Sequence, residues 1–207
     1  MVDQEIEVKF MVADLPALDL RLRALGAKLI QPRVHEVNLR FDTPDGQLSR
    51  EHRVLRLRKD QQSHLTFKGP SQVNQKVNVR QEIEMVVDDF DTSQRFLEAL
   101  GYVVTVMYEK FRTTYKFRNV LVTLDEMPYG SFTEIEGPDA PSLQAAAEDL
   151  WLDWSTRSLE SYMSLFGRVK DKKKLEIKNL SFEEVQPLNI TQKDLGLKLA
   201  DLHTATG

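Results

Sequence analysis

Charged residues recur at alternate positions in several segments of this 207-residue chain, a spacing that brings them together on one side of a β-strand. In Glu5-Ile6-Glu7-Val8-Lys9, two carboxylates and an ammonium group share one face. Later segments carry further same-face sets: Arg56 with Arg58, Thr66 with Lys68, Glu82 with Glu84, Lys110 with Arg112, and Glu134 with Glu136. Converging carboxylates bind hard cations such as Mg²⁺ or Mn²⁺, and converging Lys and Arg side chains bind polyanions.

These charged faces have two interpretations. A single strand of this kind is more often the exposed side of an amphipathic sheet. Here, however, acidic and basic pairs are segregated onto different strands, whereas a surface sheet usually places opposite charges across from each other. Because helices need an apolar sheet face to pack on, we expect the charges inside a closed sheet. Such an interior is unfavourable unless it is neutralised, and a polyphosphate with bound metal ions would neutralise both signs.

The pattern of strands and helices indicates how these faces are positioned. Period-two alternation predicts eight strands, at residues 5–10, 37–41, 54–58, 64–68, 77–87, 110–117, 120–125 and 132–136. Helical patterns follow Asp14 up to Gly26 and occupy about residues 92–100, 141–152 and 158–166. In the second of these helices we expect Phe96, Leu97 and Leu100 to face inward. Arg118-Asn119 predicts a tight hairpin.

The same order of elements occurs twice. A Glu-Ile-Glu strand precedes a helix that ends Leu22-Arg23-Ala24-Leu25-Gly26, and a second one precedes a helix that ends Leu97-Glu98-Ala99-Leu100-Gly101. We therefore predict an α+β fold, a closed eight-stranded antiparallel β-barrel that forms a tunnel. It would consist of two β-α-β-β-β halves with the helices packed outside. Chance similarity between two amphipathic helices is the alternative.

Several short motifs resemble the CYTH family, also called triphosphate tunnel metalloenzymes. This family contains class IV adenylyl cyclases, thiamine triphosphatases and inorganic triphosphatases. The likeness covers about residues 1–167, and it begins with the Glu-x-Glu-x-Lys motif at residues 5–9. The further motifs follow in family order: Phe41-Asp42-Thr43-Pro44, Leu55-Arg56-Leu57-Arg58, Phe67-Lys68-Gly69-Pro70, Glu82-Ile83-Glu84, Glu109-Lys110-Phe111-Arg112, Leu124-Asp125-Glu126, Phe132-Thr133-Glu134-Ile135-Glu136-Gly137 and Ser161-Tyr162.

The resemblance implies a tunnel in which Mg²⁺ or Mn²⁺ and basic side chains hold a triphosphate such as ATP or tripolyphosphate. The implied metal ligands are Glu5, Glu7, Asp125, Glu134 and Glu136. The implied triphosphate-binding residues are Lys9, Arg56, Arg58, Lys68, Lys110 and Arg112, and the catalytic candidates are Lys9, Lys68 and Glu82. Asp125 also precedes a turn, where aspartate is favoured for local hydrogen bonds. Tyr162 is expected to pack in its helix rather than to take part in chemistry.

Three functions fit this set of residues. An adenylyl cyclase would use the 3′-hydroxyl of ATP to attack the α-phosphorus and release pyrophosphate, and the style of the motifs slightly favours it. A triphosphatase would direct water at the terminal phosphorus of an inorganic or organic triphosphate. Both reactions need in-line geometry and charge neutralisation, so the tunnel residues do not separate them. A non-catalytic polyphosphate-binding module is the third alternative, although pure anion binding would need only the basic residues.

Composition narrows the class of protein further. The chain has no cysteine, which excludes thiolate metal sites and agrees with a reducing cytoplasm. Its formal charge of −4 argues against nucleic-acid binding, and its apolar runs are too short for a membrane span. We predict a tunnel domain at residues 1–167 and an extension of unknown role at residues 168–207, with a homodimer as an open alternative. Lys172-Lys173-Lys174 is expected to be a solvated stretch.

Overall fold

Nine β-strands and seven α-helices lie within residues 4–74 and 76–201, which are the residues described by the computed structural model. The strands are β1 (Gln4–Val12), β2 (Lys28–Asp42), β3 (Val54–Lys59), β4 (Ser63–Lys68), β5 (Gln72–Asn74), β6 (Val77–Val87), β7 (Val103–Phe117), β8 (Val120–Met127) and β9 (Gly130–Glu136). The helices are α1 (Leu15–Ala24), α2 (Gln47–Arg50), α3 (Phe90–Ala99), α4 (Ala140–Asp149), α5 (Tyr162–Lys173), α6 (Phe182–Val185) and α7 (Gln192–Leu195). The two ends of the predicted domains, residues 1–3 and 202–207, lie outside the described residues.

Eight of the strands form a closed antiparallel ring. Their order is β1-β9-β8-β7-β2-β3-β4-β6, and β6 pairs back onto β1. β5 is a short additional strand that pairs with the beginning of β6. The two predicted halves correspond to β1-α1-β2-β3-β4 and β6-α3-β7-β8-β9, with α2 and β5 as additions. The predicted eight-stranded tunnel is therefore confirmed.

The apolar faces of the strands point outward, under the helices. Leu18 and Leu22 of α1 and Leu143 of α4 form one buried cluster with Val122 of β8 and Ile135 of β9. Because these side chains occupy the outer face, the alternate residues of the same strands must point into the ring. The expected assignment of apolar residues outside and charges inside is confirmed.

Two strands are much longer than predicted. β2 begins at Lys28 rather than residue 37, and β7 begins at Val103 rather than residue 110. The pairing of these strands shifts register three times, for example between Gln31 and Val34. Each shift changes which residues face inward, so the period-two pattern disappears from the sequence although the hydrogen-bonded ladder continues.

Both ends of α1 and the glycine after α3 follow the sequence signals, whereas α3 begins at Phe90 rather than near residue 92. Asp14 and Asp89 cap α1 and α3 through carboxylates that accept a backbone N–H three residues later. Gly26 and Gly101 follow these helices with φ angles of +77° and +94°, which favour glycine. The predicted hairpin between β7 and β8 is also present, and Arg118 in its turn adopts a φ angle of 52°.

Helix α3 buries less of its surface than predicted. Leu97 packs with Phe41 and Leu57 on the outside of β2 and β3. Phe96 and Leu100, which were expected to face inward, are 63% and 61% exposed. The prediction for these two residues is wrong, because the helix packs on the sheet through Leu97 and, less deeply, through Phe90.

The chain beyond residue 167 packs against the tunnel. Helix α5 continues without a break across the predicted domain boundary. Val169, Leu180, Val185 and Leu195 are fully buried in one cluster with the side chains of α5. Of the basic run, Lys173 Nζ pairs with Asp194 at 3.1 Å, while Lys172 Nζ donates to the Lys193 carbonyl at 2.9 Å. At least these two lysines therefore contribute to internal contacts.

The C-terminal segment pairs with edges that the ring leaves open. β8 pairs with β7 only from Phe111 onward, and the free edge before it bonds to Leu180, whose N–H donates to the Met107 carbonyl at 2.9 Å. The Ala200 N–H donates to the carbonyl of Met11 on β1 at 2.8 Å. Leu180 and Ala200 thus bond to two free edges, that of β7 before the pairing with β8 begins and that of β1 beyond its pairing with β6.

Replacement of Leu180 by alanine tests this packing. We expect a loss of about 2–5 kcal/mol in the free energy of unfolding, because a fully buried leucine is removed from a packed cluster. Urea unfolding followed by circular dichroism would measure it. Leu20→Ala, at an exposed position of α1, is the control, with an expected change below about 0.5 kcal/mol. Equal effects of the two changes would contradict the docking of the C-terminal segment.

Among the helices of the described residues, none has the length and apolar composition that a membrane crossing requires.

Candidate active site

The ring encloses a cavity of about 970 Å³ whose wall is about half charged residues. Eleven of the twelve predicted site residues lie on this wall: Glu5, Glu7, Lys9, Arg56, Arg58, Lys68, Glu82, Lys110, Arg112, Glu134 and Glu136. The twelfth, Asp125, is fully buried behind them. The period-two interpretation therefore placed these charges correctly, and the contacts between them separate their roles.

Lys68 is held between two carboxylates. Its Nζ lies 2.6 Å from Glu5 Oε1 and 3.1 Å from Glu82 Oε2. Arg80, which was not predicted, adds a contact of 3.3 Å from Nε to Glu5 Oε2. Glu5, predicted as a metal ligand, is thus neutralised by two basic residues.

Glu7 and Glu136 form an acidic pair across the β1–β9 ladder. They are direct neighbours in register, and neither forms an ion pair with any residue of the described ranges. Glu7 receives one hydrogen bond, from Asn78 Nδ2 at 3.3 Å. Partial loss of water, followed by the nearby charges of Glu5, Glu82 and Glu7, raises the pKa of Glu136 to about 7. This part of the cavity wall therefore carries two carboxylates without an ion-pair partner among the described residues.

Lys9 and Glu134 face each other on neighbouring strands. Lys9 Nζ lies 2.7 Å from Glu134 Oε1 and 4.3 Å from the centre of the Tyr162 ring. Glu134 also accepts a hydrogen bond from Arg112. Burial alone would raise the pKa of Glu134, but Lys9, Arg112 and Lys110 hold it well below its ordinary value. Glu134 is therefore a stable carboxylate at neutral pH.

Asp125 is the centre of a buried network. Its Oδ1 accepts from Arg112 Nε at 2.6 Å, and its Oδ2 accepts from Lys110 Nζ at 3.1 Å and from the Tyr162 hydroxyl at 2.7 Å. With donors on both oxygens and no cavity-facing surface, Asp125 orients the basic residues in front of it. Its predicted place among the metal ligands has no counterpart in these contacts.

Tyr162 does more than pack in its helix. It lies at the first position of α5, after the cap residue Ser161, and its ring packs edge-on against Phe132. Its hydroxyl reaches Asp125, and its ring supports Lys9. A Ser-Tyr pair at a helix start indicates a cap, but only the tertiary structure shows what the tyrosine contacts.

Glu36 is a cavity residue that sequence reasoning missed. It is 1% exposed, and its Oε2 lies 3.5 Å from Lys110 Nζ. Burial would raise its pKa, but Lys110 and Arg112 lead the positive charges that lower it to about 2. The predicted strand began one residue later, at residue 37, and extending the alternation by one position would have included Glu36.

The two arginines of β3 contact carboxylates of β6 and of the β3–β4 turn. Arg56 lies 3.6 Å from Glu84 and Arg58 lies 3.3 Å from it, while Arg58 Nε lies 3.2 Å from Asp60. Thr66 donates to Glu84 Oε2 at 2.8 Å. The ion-pair contacts of Arg56 are the longer ones, and its guanidinium also donates to Thr66 Oγ1 at 3.2 Å.

The cavity carboxylates are the type of ligand that a divalent cation prefers, but their present positions do not group them around one. Within residues 4–74 and 76–201, no three histidine, aspartate or glutamate side chains are grouped to hold a metal ion. The reason is visible, because Glu5 and Glu134 are turned toward lysines. The mutual repulsion around Glu136 would nevertheless be relieved by a hard cation with oxygen ligands. Glu7 and Glu136 are the carboxylates available to it.

Comparisons with known proteins agree with this geometry. The CYTH domain model matches residues 3–162. A candidate adenylate cyclase from Vibrio parahaemolyticus has a similar structure, with 22% identity, a TM-score of 0.73, and coverage of 81% of this chain and 99% of its own. Protein PH1819 of Pyrococcus horikoshii also has a similar structure, with 24% identity, a TM-score of 0.67, and coverage of 78% of this chain and 97% of its own.

A third similar structure is a candidate adenylyl cyclase from Hippeastrum that has a dominant triphosphatase activity. It is 20% identical, with a TM-score of 0.58 and coverage of 79% of this chain and 95% of its own. At these identities the likeness shows a shared fold. No curated protein matches the chain significantly.

Proposed function

Because this chain belongs to the CYTH domain family, which is metal-dependent and binds triphosphate substrates, we propose that it hydrolyses the terminal phosphoryl group of a small triphosphate. The observation that carries the proposal is the charge pattern of the cavity. Basic residues from six strands line one internal space together with carboxylates, and two of these carboxylates, Glu7 and Glu136, form no ion pair among the described residues.

The ion pairs of the cavity can exchange partners. Lys9 and Lys68 are neutralised by Glu134 and Glu5, so their charges cost little in the absence of a substrate. A triphosphate brings oxygens that compete for these ammonium groups, and Glu5 and Glu134 then become free to bind a cation. Polyanion and cation should therefore bind with positive cooperativity, each releasing groups that the other uses.

The carboxylates of Glu5, Glu7, Glu134 and Glu136 would hold the divalent metal, with Mg²⁺ and Mn²⁺ as the candidates. When bound, the ion would supply neutralisation of phosphate charge and polarisation of a phosphoryl oxygen. Arg112 and Lys110 are held from behind by Asp125, so their positions are fixed before the substrate arrives. Such preorganisation lowers the cost of stabilising charge on the leaving group.

The composition of the wall favours hydrolysis over cyclisation. A cyclase must also bind an adenine base, for which aromatic stacking is a common means. Among the described residues, Tyr108 and Tyr162 are the only Phe, Tyr or Trp side chains on the cavity wall, and both are buried. The Tyr162 ring is already covered by Lys9 and Phe132. Tyr162 thus offers no free ring face to a base, and Tyr108 is only 8% exposed, whereas a substrate without a base needs no such face.

Product analysis separates the functions. With Mg²⁺ or Mn²⁺, we expect orthophosphate from tripolyphosphate and no cyclic AMP from ATP. Glu7→Gln should abolish this activity, whereas Glu98→Gln, at an exposed position of α3, should retain it. Cyclic AMP with pyrophosphate would contradict hydrolysis and support the cyclase. Tight tripolyphosphate binding without any turnover would instead favour the non-catalytic polyphosphate-binding module.

A further inference from the structure

Arg40 is a cavity residue that neither the sequence motifs nor the proposed reaction uses. It lies on β2 and lines the cavity together with Glu36, which is four residues earlier on the same strand. Across the β2–β3 ladder its direct neighbour is Arg56. Two like charges directly opposite each other are unfavourable unless an anion lies between them.

The other basic side chains of the wall are all paired. Within the described residues, each lysine or arginine that lines the cavity, apart from Arg40, lies within 4.0 Å of a carboxylate: Lys9, Arg53, Arg56, Arg58, Lys68, Arg80, Lys110 and Arg112. The Arg40 guanidinium has no such neighbour among those residues. It therefore carries a positive charge that the protein does not neutralise.

The nearest acidic residue on its own strand is committed elsewhere. Asp42 Oδ1 accepts the N–H groups of Thr43 and Leu48, both at 2.8 Å, and its Oδ2 accepts from Ser49 N at 2.9 Å. These bonds hold the start of α2 and occupy both oxygens of Asp42, which forms no ion pair with Arg40 within 4.0 Å. Burial, together with the charges of neighbouring arginines, lowers the pKa of Arg40, although an arginine remains protonated.

We propose that Arg40 binds a phosphoryl group of the substrate together with Arg56. The inference rests on the proposed function for the class of ligand, a triphosphate, and on the ion-pair pattern for the residue. Lys9 and Lys68 must first release Glu134 and Glu5 before they can bind phosphate, whereas Arg40 needs no such exchange. Its planar guanidinium can donate two parallel hydrogen bonds to phosphate oxygens. Arg40 is thus the preorganised contact for the incoming anion.

Isothermal titration of the full-length protein with sodium tripolyphosphate, in EDTA, tests the assignment. We expect Arg40→Met to weaken binding about 10- to 100-fold, the range of a charge-assisted hydrogen bond. Arg40→Lys keeps the charge but loses the planar fork, so its affinity should lie in between. Arg33→Met is the matched control, because Arg33 lies on the same strand but pairs with Glu126 outside the cavity, and its affinity should not change.

Thermal unfolding without ligand supplies a second readout. Because Arg40 is unpaired and faces Arg56, Arg40→Met should have a Tm at or above that of Arg33→Met. Tripolyphosphate affinity within about twofold of the wild type would overturn the proposal. So would weaker binding with a Tm clearly below that of the control, which would indicate a packing role. Absence of turnover in a wild type that binds tripolyphosphate would contradict the hydrolase and leave the role of Arg40 intact.

Discussion

Replacement of Asp125 by asparagine should lower the free energy of unfolding by about 3–5 kcal/mol, even with all metal ions removed. Asp125 is fully buried and accepts hydrogen bonds from Arg112, Lys110 and Tyr162. An amide keeps the size of the side chain but leaves two cations with less negative charge nearby, and its NH₂ group faces donors rather than acceptors. Urea unfolding in EDTA would measure the change.

The adjacent residue offers a matched control for this experiment. Glu126 pairs with Arg33 at 2.6 Å, but both side chains are exposed, so Glu126→Gln should cost no more than about 0.5 kcal/mol. If Asp125 served mainly as a metal ligand, Asp125→Asn and Glu126→Gln would have similar free energies of unfolding in the absence of metal. That result would contradict the role assigned here.

Replacement of Glu136 by glutamine should stabilise the metal-free protein at alkaline pH and reduce turnover about 100-fold or more. The pKa of Glu136 is about 7 in the folded protein against an ordinary value of 4.5. As the pH rises between these values, the unfolded chain loses its proton and the folded chain retains it, so stability falls. Glutamine removes this effect. Because the side chain still meets water, we expect a gain of about 1 kcal/mol rather than the full value of the shift.

The pH dependence is the specific readout for Glu136. The gain in unfolding free energy should be near its full size at about pH 8, which lies above both pKa values. It should be smaller at about pH 5, which lies only just above the ordinary pKa of 4.5. Guanidinium unfolding of the wild type and the variant at both pH values, in EDTA, would show the difference. An equal gain at both values would mean that charge repulsion is not its origin.

Glu134→Gln should have the opposite effect on stability, although it lies two residues away on the same strand. The Glu134 carboxylate is held by Lys9 and Arg112, and removing its charge leaves both cations partly unpaired. We expect a loss of about 3 kcal/mol at neutral pH. Both variants should lose turnover, so activity alone cannot separate the two residues. A gain in stability for Glu134→Gln would contradict the ion pairs described here.

Glu134 and Glu136 show which features of the site could be predicted from the sequence. Period-two alternation predicted that Glu134 and Glu136 share a face, and the need of the helices for an apolar surface predicted that this face is the inner one. Both follow from local geometry, because successive side chains of a strand point to opposite sides. The repeated order of elements predicted two halves with eight strands in total, which are enough to close a ring.

Only the tertiary structure decided which charged residues form ion pairs with each other. Partners in a closed ring come from strands far apart in the sequence, and register shifts and backbone capping set their distances. Among the described residues, these long-range contacts give Glu134 two ion-pair partners and Glu136 none. They also place Asp125 behind the cavity wall against Tyr162 and bring Glu36 inside. Within the part of the chain that the structure describes, Arg40 has no carboxylate partner, and Asp42 bonds to the start of α2 instead. The sequence by itself determined a charged tunnel, and the pairing across its strands determined which charges remain available to a ligand.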